Sequence, residues 1–354
     1  MRRSPDCAPA PDVRTGPGKP TVSLIVPCYN AAKTLRLCLE SVFAQTRVPD
    51  EVVVVDDAST DGSAEIAENL GCRVIRLPEN RGVSAARNTG VEHTTGEIVF
   101  FLDSDVALRP DAVANALEIL ERDPECGCVH GVYDTEPLID DGPVEWYRIL
   151  HAAHWRRRHL GQVNSVIFAL AAVRRTALER AGRLDESLRD SEDVEYSSRL
   201  AACCRIVLTD TVVGRHDDGS RLWPILAEQW RRALPLIPLR VVAAARKAGK
   251  QEHANHPAGI LACALALATL PLGLVHAALL AVPALLVVGF VLADPELPRF
   301  VRRQRGTAFA IYFMAVHLAV HVALVAGLVA GAPRAIPLLA SRLRDKTLVR
   351  GHSV

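Results

Sequence analysis

Ile98-Val99-Phe100-Phe101-Leu102-Asp103-Ser104-Asp105 is a run of five apolar residues that leads directly into two carboxylates. A short β-branched and aromatic run of this kind, bounded by turn formers, predicts a strand buried on both faces. Three similar runs precede it, at Val22–Val26, Glu51–Val55 and Arg73–Leu77. Between the four, Lys33–Gln45, Ser63–Leu70 and Ser84–His93 space their apolar residues as helices do. Strands alternating with helices imply βαβ units and a mainly parallel sheet flanked by helices, an α/β fold. Such a sheet binds ligands at the carboxyl ends of its strands, so the polar clusters following these runs are the candidate site.

Farther along, Asp111–Arg122, Pro143–Leu160, Arg174–Ala181 and Ser191–Cys203 read as helices. Cys128–Tyr133, Asn164–Ala169 and Arg205–Leu208 read as strands. The first 20 residues carry five prolines and no apolar run, which predicts a disordered tail rather than a signal peptide. Residues 21–220 are expected to form one catalytic domain. Arg221 to Lys250, within an interfacial segment 221–257, mixes Trp223, Trp230, Leu234, Leu236 and Leu239 with Arg231, Arg232, Arg240, Arg246 and Lys247. That pattern suits a helix lying on an anionic membrane surface.

Lys plus Arg total 41 against 40 Asp plus Glu, so the net charge says nothing about nucleic acid, and no nucleic-acid partner is expected on other grounds. The charges are unevenly placed, however. Ala258 to Ala293 and Gly306 to Pro333 contain no Asp, Glu, Lys or Arg. The first window would extend roughly 54 Å as one helix, too long for a bilayer core of about 30 Å. Pro271 and Gly273 offer a break, and basic residues on both sides (Arg246, Lys247 and Lys250 before; Arg299, Arg302, Arg303 and Arg305 after) favour a hairpin with cytoplasmic flanks. A further span over 307–331 precedes a basic tail, 334–354, holding Arg342, Arg344, Lys346 and Arg350. Those charges also prefer the cytoplasm, which leaves the count at two to four spans. The expected location is the inner (cytoplasmic) membrane, multi-pass, with the catalytic domain in the cytoplasm. His276, His317 and His321 fall within the spans, where they would either satisfy interhelical hydrogen bonds or bind a metal or lipid phosphate. The nine cysteines show no zinc spacing and read as reduced, mostly buried thiols.

Asp56 and Asp57 abut four consecutive valines, and buried strand ends rarely hold two acids without a partner. A nucleobase imide and a ribose diol are suitable partners. Asp103 and Asp105, two apart at a strand terminus, suit Mg²⁺ or Mn²⁺, which take hard oxygen ligands and leave positions open for phosphate. Arg81 and Arg87 would offset diphosphate charge. Glu192 and Asp193 lie in a first helical turn, which the helix dipole favours whatever the function.

The order of these motifs resembles glycosyltransferase family 2, inverting transferases of the GT-A fold. The matching parts are Ser23–Asn30, Val55–Gly62, Asn80-Arg81-Gly82 with Ala86-Arg87-Asn88, Asp103-Ser104-Asp105 and Ser191-Glu192-Asp193. The resemblance covers about residues 21 to 235, and the apolar tail is similar to that of bacterial members whose helices are separated by an Arg-rich loop, here Arg302–Gly306. It implies a donor site of Pro27, Tyr29, Asn30, Asp56, Asp57, Arg81, Gly82, Arg87, Asp103 and Ser104. Within it, Tyr29, Asp56 and Asp57 would hold the nucleoside, and Arg87 would lie near the phosphates. Asp103 and Asp105 would serve the ribose and the metal. His216 would be either a third metal ligand, as in some relatives, or a buried structural histidine. Asp193, following Glu192, would be the general base. The implied partners are a nucleotide-sugar donor, a glycan or lipid-linked acceptor and the membrane, in cell-envelope or exopolysaccharide synthesis. Gln229-Trp230-Arg231-Arg232 matches the processive Gln-x-x-Arg-Trp motif only loosely, which argues against a polymerase. Arg183 stands where relatives carry an apolar residue.

Two other readings compete. A nucleotidyltransferase shares the sheet but needs a Gly-rich basic loop after the first strand, and Pro27-Cys28-Tyr29-Asn30 is not one. An inactive membrane scaffold with the same fold would have little reason to keep Asp103, Asp105 and Asp193 together.

Overall fold

The computed structural model describes residues 18–188, 192–237 and 256–335. Outside these lie Ser191, most of the expected N-terminal tail, and the interfacial residues Leu239, Arg240, Arg246, Lys247 and Lys250. The basic residues Arg342, Arg344, Lys346 and Arg350 lie outside them too. The chain divides into two compact units. One comprises the chain up to Asp140 and Ala152–Asp218; the other comprises Asp141–His151 and the chain from Gly219 on.

The first unit is built on a nine-stranded mixed sheet. Its strands are β1 (Val22–Cys28), β2 (Glu51–Asp56), β3 (Arg73–Arg76), β4 (Ile98–Leu102), β5 (Val106–Leu108), β6 (Cys126–Tyr133), β7 (Gly161–Val163), β8 (Leu170–Arg174) and β9 (Arg205–His216). They are ordered β3-β2-β1-β4-β8-β6-β9-β5, with β7 beside β9. β1 pairs in parallel with both β2 and β4, whereas β8 runs antiparallel to β4 and β6. The chain thus steps outward from β1 to β3 and returns on the opposite side of β1 as β4. That reversal opens a crevice at the carboxyl ends of β1 and β4, where a doubly wound sheet takes its ligand.

The continuous apolar runs follow from burial on both faces. Phe100 and Leu102 join one core with Leu35, Leu39 and Val42 of helix α1 (Leu35–Phe43) and Val113 and Leu117 of α4 (Ala112–Arg122). Val99 and Phe101 face the other core, with Ala86 of α3 (Val83–Glu92), Leu178 of α6 (Arg175–Ala181) and Tyr196 and Leu200 of α7 (Glu192–Cys203). Each fully buried side chain of this size stabilises the fold by about 1.5–3 kcal/mol. The remaining helix of this unit is α2 (Ser63–Asn69); α5 (Pro143–Arg157) lies in the second unit up to His151 and in the first from Ala152. Six of the eight described cysteines are buried, and Cys203 and Cys204 are half-buried.

The strand expected over Asn164–Ala169 is a loop, and the strand there is β8. Its small residues explain the shift: Ala171 and Ala172 stand opposite Phe101 and Phe100, so the bulky side chains have room. Val166 and Phe168 are still buried, with Phe168 edge-on to Phe101 at 5.4 Å. β9 runs well beyond the predicted Leu208. Thr209-Asp210-Thr211 interrupts its apolar pattern, and its pairing with β6 shifts register between His130 and Val132.

The second unit holds α8 (Leu222–Ala233), α9 (Pro257–Thr269), α10 (Ala281–Leu292) and α11 (Glu296–Gly331), with 3₁₀ turns at Leu270–Leu274 and Ala277–Leu280. Pro257–Leu274 and Glu296–Gly331 are long and apolar enough to cross a membrane, and a shorter apolar helical stretch covers Ala277–Leu292. The Arg-rich loop expected at Arg302–Gly306 is helical instead. Arg and Gln are good helix formers, and the break falls only at Gly306, where φ is 83°. His317 and His321 are packing residues: the Tyr147 hydroxyl lies 3.1 Å from His317 Nδ1, and His321 Nδ1 lies 2.9 Å from the His317 carbonyl oxygen. His276 caps a 3₁₀ turn by accepting from the Ala278 N–H.

Gly90 marks the closest approach of α3 to β1. A Cβ there would fall 2.3 Å from Ile25 Cγ2, in a core where Ile25 is fully buried. Gly90→Ala is therefore expected to destabilise the protein by about 1–3 kcal/mol. Urea denaturation of the first unit's transition checks this.

Candidate active site

Two turns form the floor of the crevice, and they are stitched to each other. After β1, Asn30 takes φ 50°, and its N–H donates to Ser59 Oγ at 2.9 Å. The Ala31 N–H donates to Ser63 Oγ and the Ala32 N–H to Asp61 Oδ2, at 2.8 and 2.9 Å. In return Asn30 Oδ1 accepts the Thr60 N–H at 2.8 Å. Pro27 is buried in β1, while Tyr29 stands half exposed above the turn, open to stack on a planar ligand.

Asp56 and Asp57 are both buried at the end of β2, in different roles. Asp56 Oδ1 accepts the Ser59 N–H at 3.2 Å. Asp57 accepts two backbone amides, from Arg81 on Oδ1 and Gly82 on Oδ2, each at 2.7 Å. Its carboxylate thereby anchors the start of α3, where Gly82 has φ 88°, a conformation that favours glycine. The Arg81 guanidinium turns to Glu186 at 2.5 Å. Glu186 also accepts from Asn88 Nδ2 at 2.9 Å, so the Leu184–Glu186 loop is tied to α3.

One turn into α3, Arg87 is almost wholly buried, packed over the Phe168 ring at 5.3 Å. It is the hub of the site. Nη2 donates to Asp103 Oδ1 at 3.0 Å, and Nη1 lies 3.3 Å from Asp193 Oδ1 and 3.5 Å from Glu192 Oε1. Burial disfavours the guanidinium charge, but Asp103 and Asp193 outweigh it and its pKa rises. Burial also dominates at Asp193, whose carboxyl is pushed up to about 6 against the pull of Arg87. A third of the Asp193 side chain remains exposed, so it can reach a substrate.

Asp103 leaves β4 in a tight turn: its N–H donates to the Ala169 carbonyl, and its own carbonyl accepts the Val106 N–H. Ser104 lies within this turn. β5 then pairs with β9 in the register Val106↔His216, which places His216 beside Asp105. His216 Nε2 is 3.5 Å from Asp105 Oδ2, and Nδ1 is 3.7 Å from Asp218 Oδ2. Burial works against the charged imidazole, yet neighbouring Asp105 raises its pKa overall. Asp105 Oδ1 is buried without a hydrogen-bond partner among the described residues. That orphaned oxygen beside an imidazole fits a hard divalent ion. Among the described residues, however, no three His, Cys, Asp or Glu side chains converge as a self-sufficient metal cage.

Arg87, Asp103, Glu192 and Asp193 thus form one cluster, and Asp105 and His216 form a second at the end of the same strand. Sequence reasoning missed Tyr133, stacked on His216 at 4.4 Å, and Lys33, paired with Asp217 at 2.8 Å. The run His216-Asp217-Asp218 was a legible signal for the second contact; stacking leaves no sequence signature.

A buried parallel-stranded crevice lined by turn amides, carboxylates and one buried arginine defines a GT-A-type transferase domain. Residues 23–182, a little under half of the chain, match Glycosyl transferase family 2. It is 32% identical over 200 residues to EpsH of Bacillus subtilis, named as a glycosyltransferase, covering 53% of this chain and 58% of that protein. It is 24% identical over 212 residues to a poly-beta-1,6-N-acetyl-D-glucosamine synthase of Staphylococcus epidermidis, covering 54% and 51%. The chain therefore spans little more than half the length of these relatives. Among solved structures, a mannosyltransferase from Pyrobaculum calidifontis in complex with GDP-Man and Mn²⁺ superposes with a TM-score of 0.53 at 26% identity. That match covers 94% of this chain and 90% of the other.

Asp57→Asn tests the anchor. An amide side chain offers one acceptor atom for two N–H donors, so one buried amide loses its partner, at a cost of about 1–3 kcal/mol. Chemical denaturation should show that loss with the slope of the transition unchanged.

Proposed function

We propose that the protein transfers a sugar from a nucleoside diphosphate donor to an acceptor hydroxyl or phosphate by inverting single displacement, in building a cell-envelope or exopolysaccharide glycan. The observation that carries this reading is the Arg87 bridge, which joins Asp103 at the end of β4 to Asp193 at the start of α7. It brings a donor-side carboxylate and an exposed, weakly acidic carboxylate to one place. The Pyrobaculum relative, complexed with GDP-Man and Mn²⁺, supports the donor class.

In this mechanism the nucleoside lies in the stitched turns, with its base against Tyr29 and its polar edge toward Asp56. Pro27, Asn30 and Ser104 shape the walls, and Asp57 holds Arg81 and Gly82 in place beside the donor. Asp103 faces the ribose. Asp103, Asp105 and His216 would hold Mn²⁺ or Mg²⁺, which supplies positive charge to the leaving diphosphate. Asp193 accepts the proton of the acceptor hydroxyl as that oxygen bonds to the anomeric carbon. The bond from that carbon to the diphosphate oxygen breaks, and its electron pair leaves with the nucleotide. Arg87 keeps Asp193 oriented, and Glu192 adds negative charge that keeps its carboxyl weakly acidic.

The two candidate spans support a multi-pass location in the inner membrane. Exposed Arg302, Arg303 and Arg305 just before the apolar part of α11 favour a cytoplasmic catalytic domain. A membrane setting makes a lipid-linked acceptor, or a growing glycan, the acceptor class.

The test is nucleotide release from UDP-, GDP- and dTDP-sugars by the purified protein, with and without Mn²⁺. Asp193→Asn is expected to lower kcat about 10²-fold or more while donor binding persists; turnover at the parent rate would remove Asp193 as the base. The pH profile provides a second check. A base must be ionised, and this carboxyl is raised to about 6. kcat/KM should therefore be full above that pH and fall about tenfold per unit below it. A profile flat down to pH 4.5 would contradict the assignment.

A further inference from the structure

We infer that Tyr133 and Arg156 are positioning residues that fix the ring plane of His216 for metal ligation. The inference rests on the reading of His216 as a ligand given above. A ligating histidine is ordinarily oriented by a hydrogen bond from its second ring nitrogen to a carboxylate or carbonyl. His216 lacks that hydrogen bond. Its Nδ1 is buried with no hydrogen-bond partner among the described residues, and Asp218 Oδ2, at 3.7 Å, is beyond hydrogen-bond reach.

Stacking takes its place. The imidazole lies on the Tyr133 ring with centroids 4.4 Å apart and planes 12° from parallel. The Arg156 guanidinium carbon sits 3.8 Å from the centroid of the same ring. Two planar groups so close to one centroid cannot share a face, so Tyr133 is sandwiched between Arg156 and His216. Tyr133 and Arg156 are both more than nine-tenths buried, and Arg156 Nη1 has no hydrogen-bond partner among the described residues. The Tyr133 side chain is the partner the Arg156 guanidinium packs against. The stack leaves His216 Nε2 directed toward Asp105, whose Oδ1 is the orphaned oxygen of the candidate metal site. β6 and α5, which supply Tyr133 and Arg156, thereby act on the site without touching the donor.

The experiment is Mn²⁺ titration of the full-length, detergent-solubilised protein with GDP present, reading free Mn²⁺ by electron paramagnetic resonance against a protein-free GDP blank. Tyr133→Leu should weaken Mn²⁺ binding by about 10- to 100-fold, the scale for losing an outer-shell partner, with Tm close to the parent value. Tyr133→Phe keeps the ring and should bind within about twofold of the parent. Arg156→Met should weaken binding by a smaller factor, and it decides the matter if Tyr133→Leu does not fold. His216→Ala separates the two layers of the argument. If it weakens Mn²⁺ binding while folded Tyr133→Leu binds like the parent, the positioning role is overturned and the ligand stands. If Tyr133→Phe binds as poorly as Tyr133→Leu, the ring face is not what matters, and the inference is also overturned. If His216→Ala binds like the parent, the ligand assignment falls and this inference with it.

Discussion

The site depends on a buried guanidinium shared among three carboxylates. Taking Arg87 out of water is costly unless the charge is matched at hydrogen-bond distance. The matching groups come from different parts of the chain, Asp103 from the end of β4 and Glu192 and Asp193 from the first turn of α7. The interaction therefore fixes where α7 begins relative to the sheet. It also sets the two acids apart in character. Asp103 holds the closer contact, at 3.0 Å, whereas Asp193 sits at 3.3 Å, where burial pushes its carboxyl up to about 6. A single cation thereby holds two carboxylates from distant parts of the chain side by side.

Around this hub, binding surface is made largely from backbone. Asp57 spends both carboxylate oxygens on the amides of Arg81 and Gly82, and Ser59, Asp61 and Ser63 receive the amides of Asn30, Ala32 and Ala31. These short polar side chains satisfy turns that would otherwise leave amides unpaired at the sheet's edge. Several residues of the motif thus contribute rigidity, while Tyr29 stays half exposed above them. A floor held by this many hydrogen bonds has little rotamer freedom to lose on binding.

The strand–helix alternation of residues 21 to 102 was plain in the sequence because β1, β2 and β4 are largely buried on both faces and read as apolar runs. The end of the sheet was harder. β8 is five residues long with two alanines at its centre, β5 and β7 are three residues long, and β9 crosses a polar Thr209-Asp210-Thr211 stretch, so none carries a strong period. The carboxylates were legible because acids directly after apolar strands are conspicuous. Their partners were not, since the convergence of Arg87 with Asp193 spans 106 residues and depends on crossover geometry. The Arg302–Gly306 segment misled for a different reason: a charged cluster between apolar stretches reads as a loop, although its residues are good helix formers and only Gly306 departs from the helix.

The unpaired buried atoms give the last step of the argument. Each buried polar group without a partner costs about 1–3 kcal/mol, so a fold keeps few of them. Here they include Arg87 Nε, Asp105 Oδ1, His216 Nδ1, His130 Nδ1 and Nε2, and Arg156 Nη1. Arg87, Asp105 and His216 belong to the site itself, and Arg156 stacks on the tyrosine that backs His216. Such concentration is unexpected if these residues serve only to hold the sheet together, because apolar replacements of similar size would pack there without the penalty. It is expected if part of their hydrogen-bonding and charge capacity is reserved for a bound anion and its counter-ion. On that ground the cluster at the carboxyl ends of β1 and β4 is better explained as reactive machinery than as an elaborate turn.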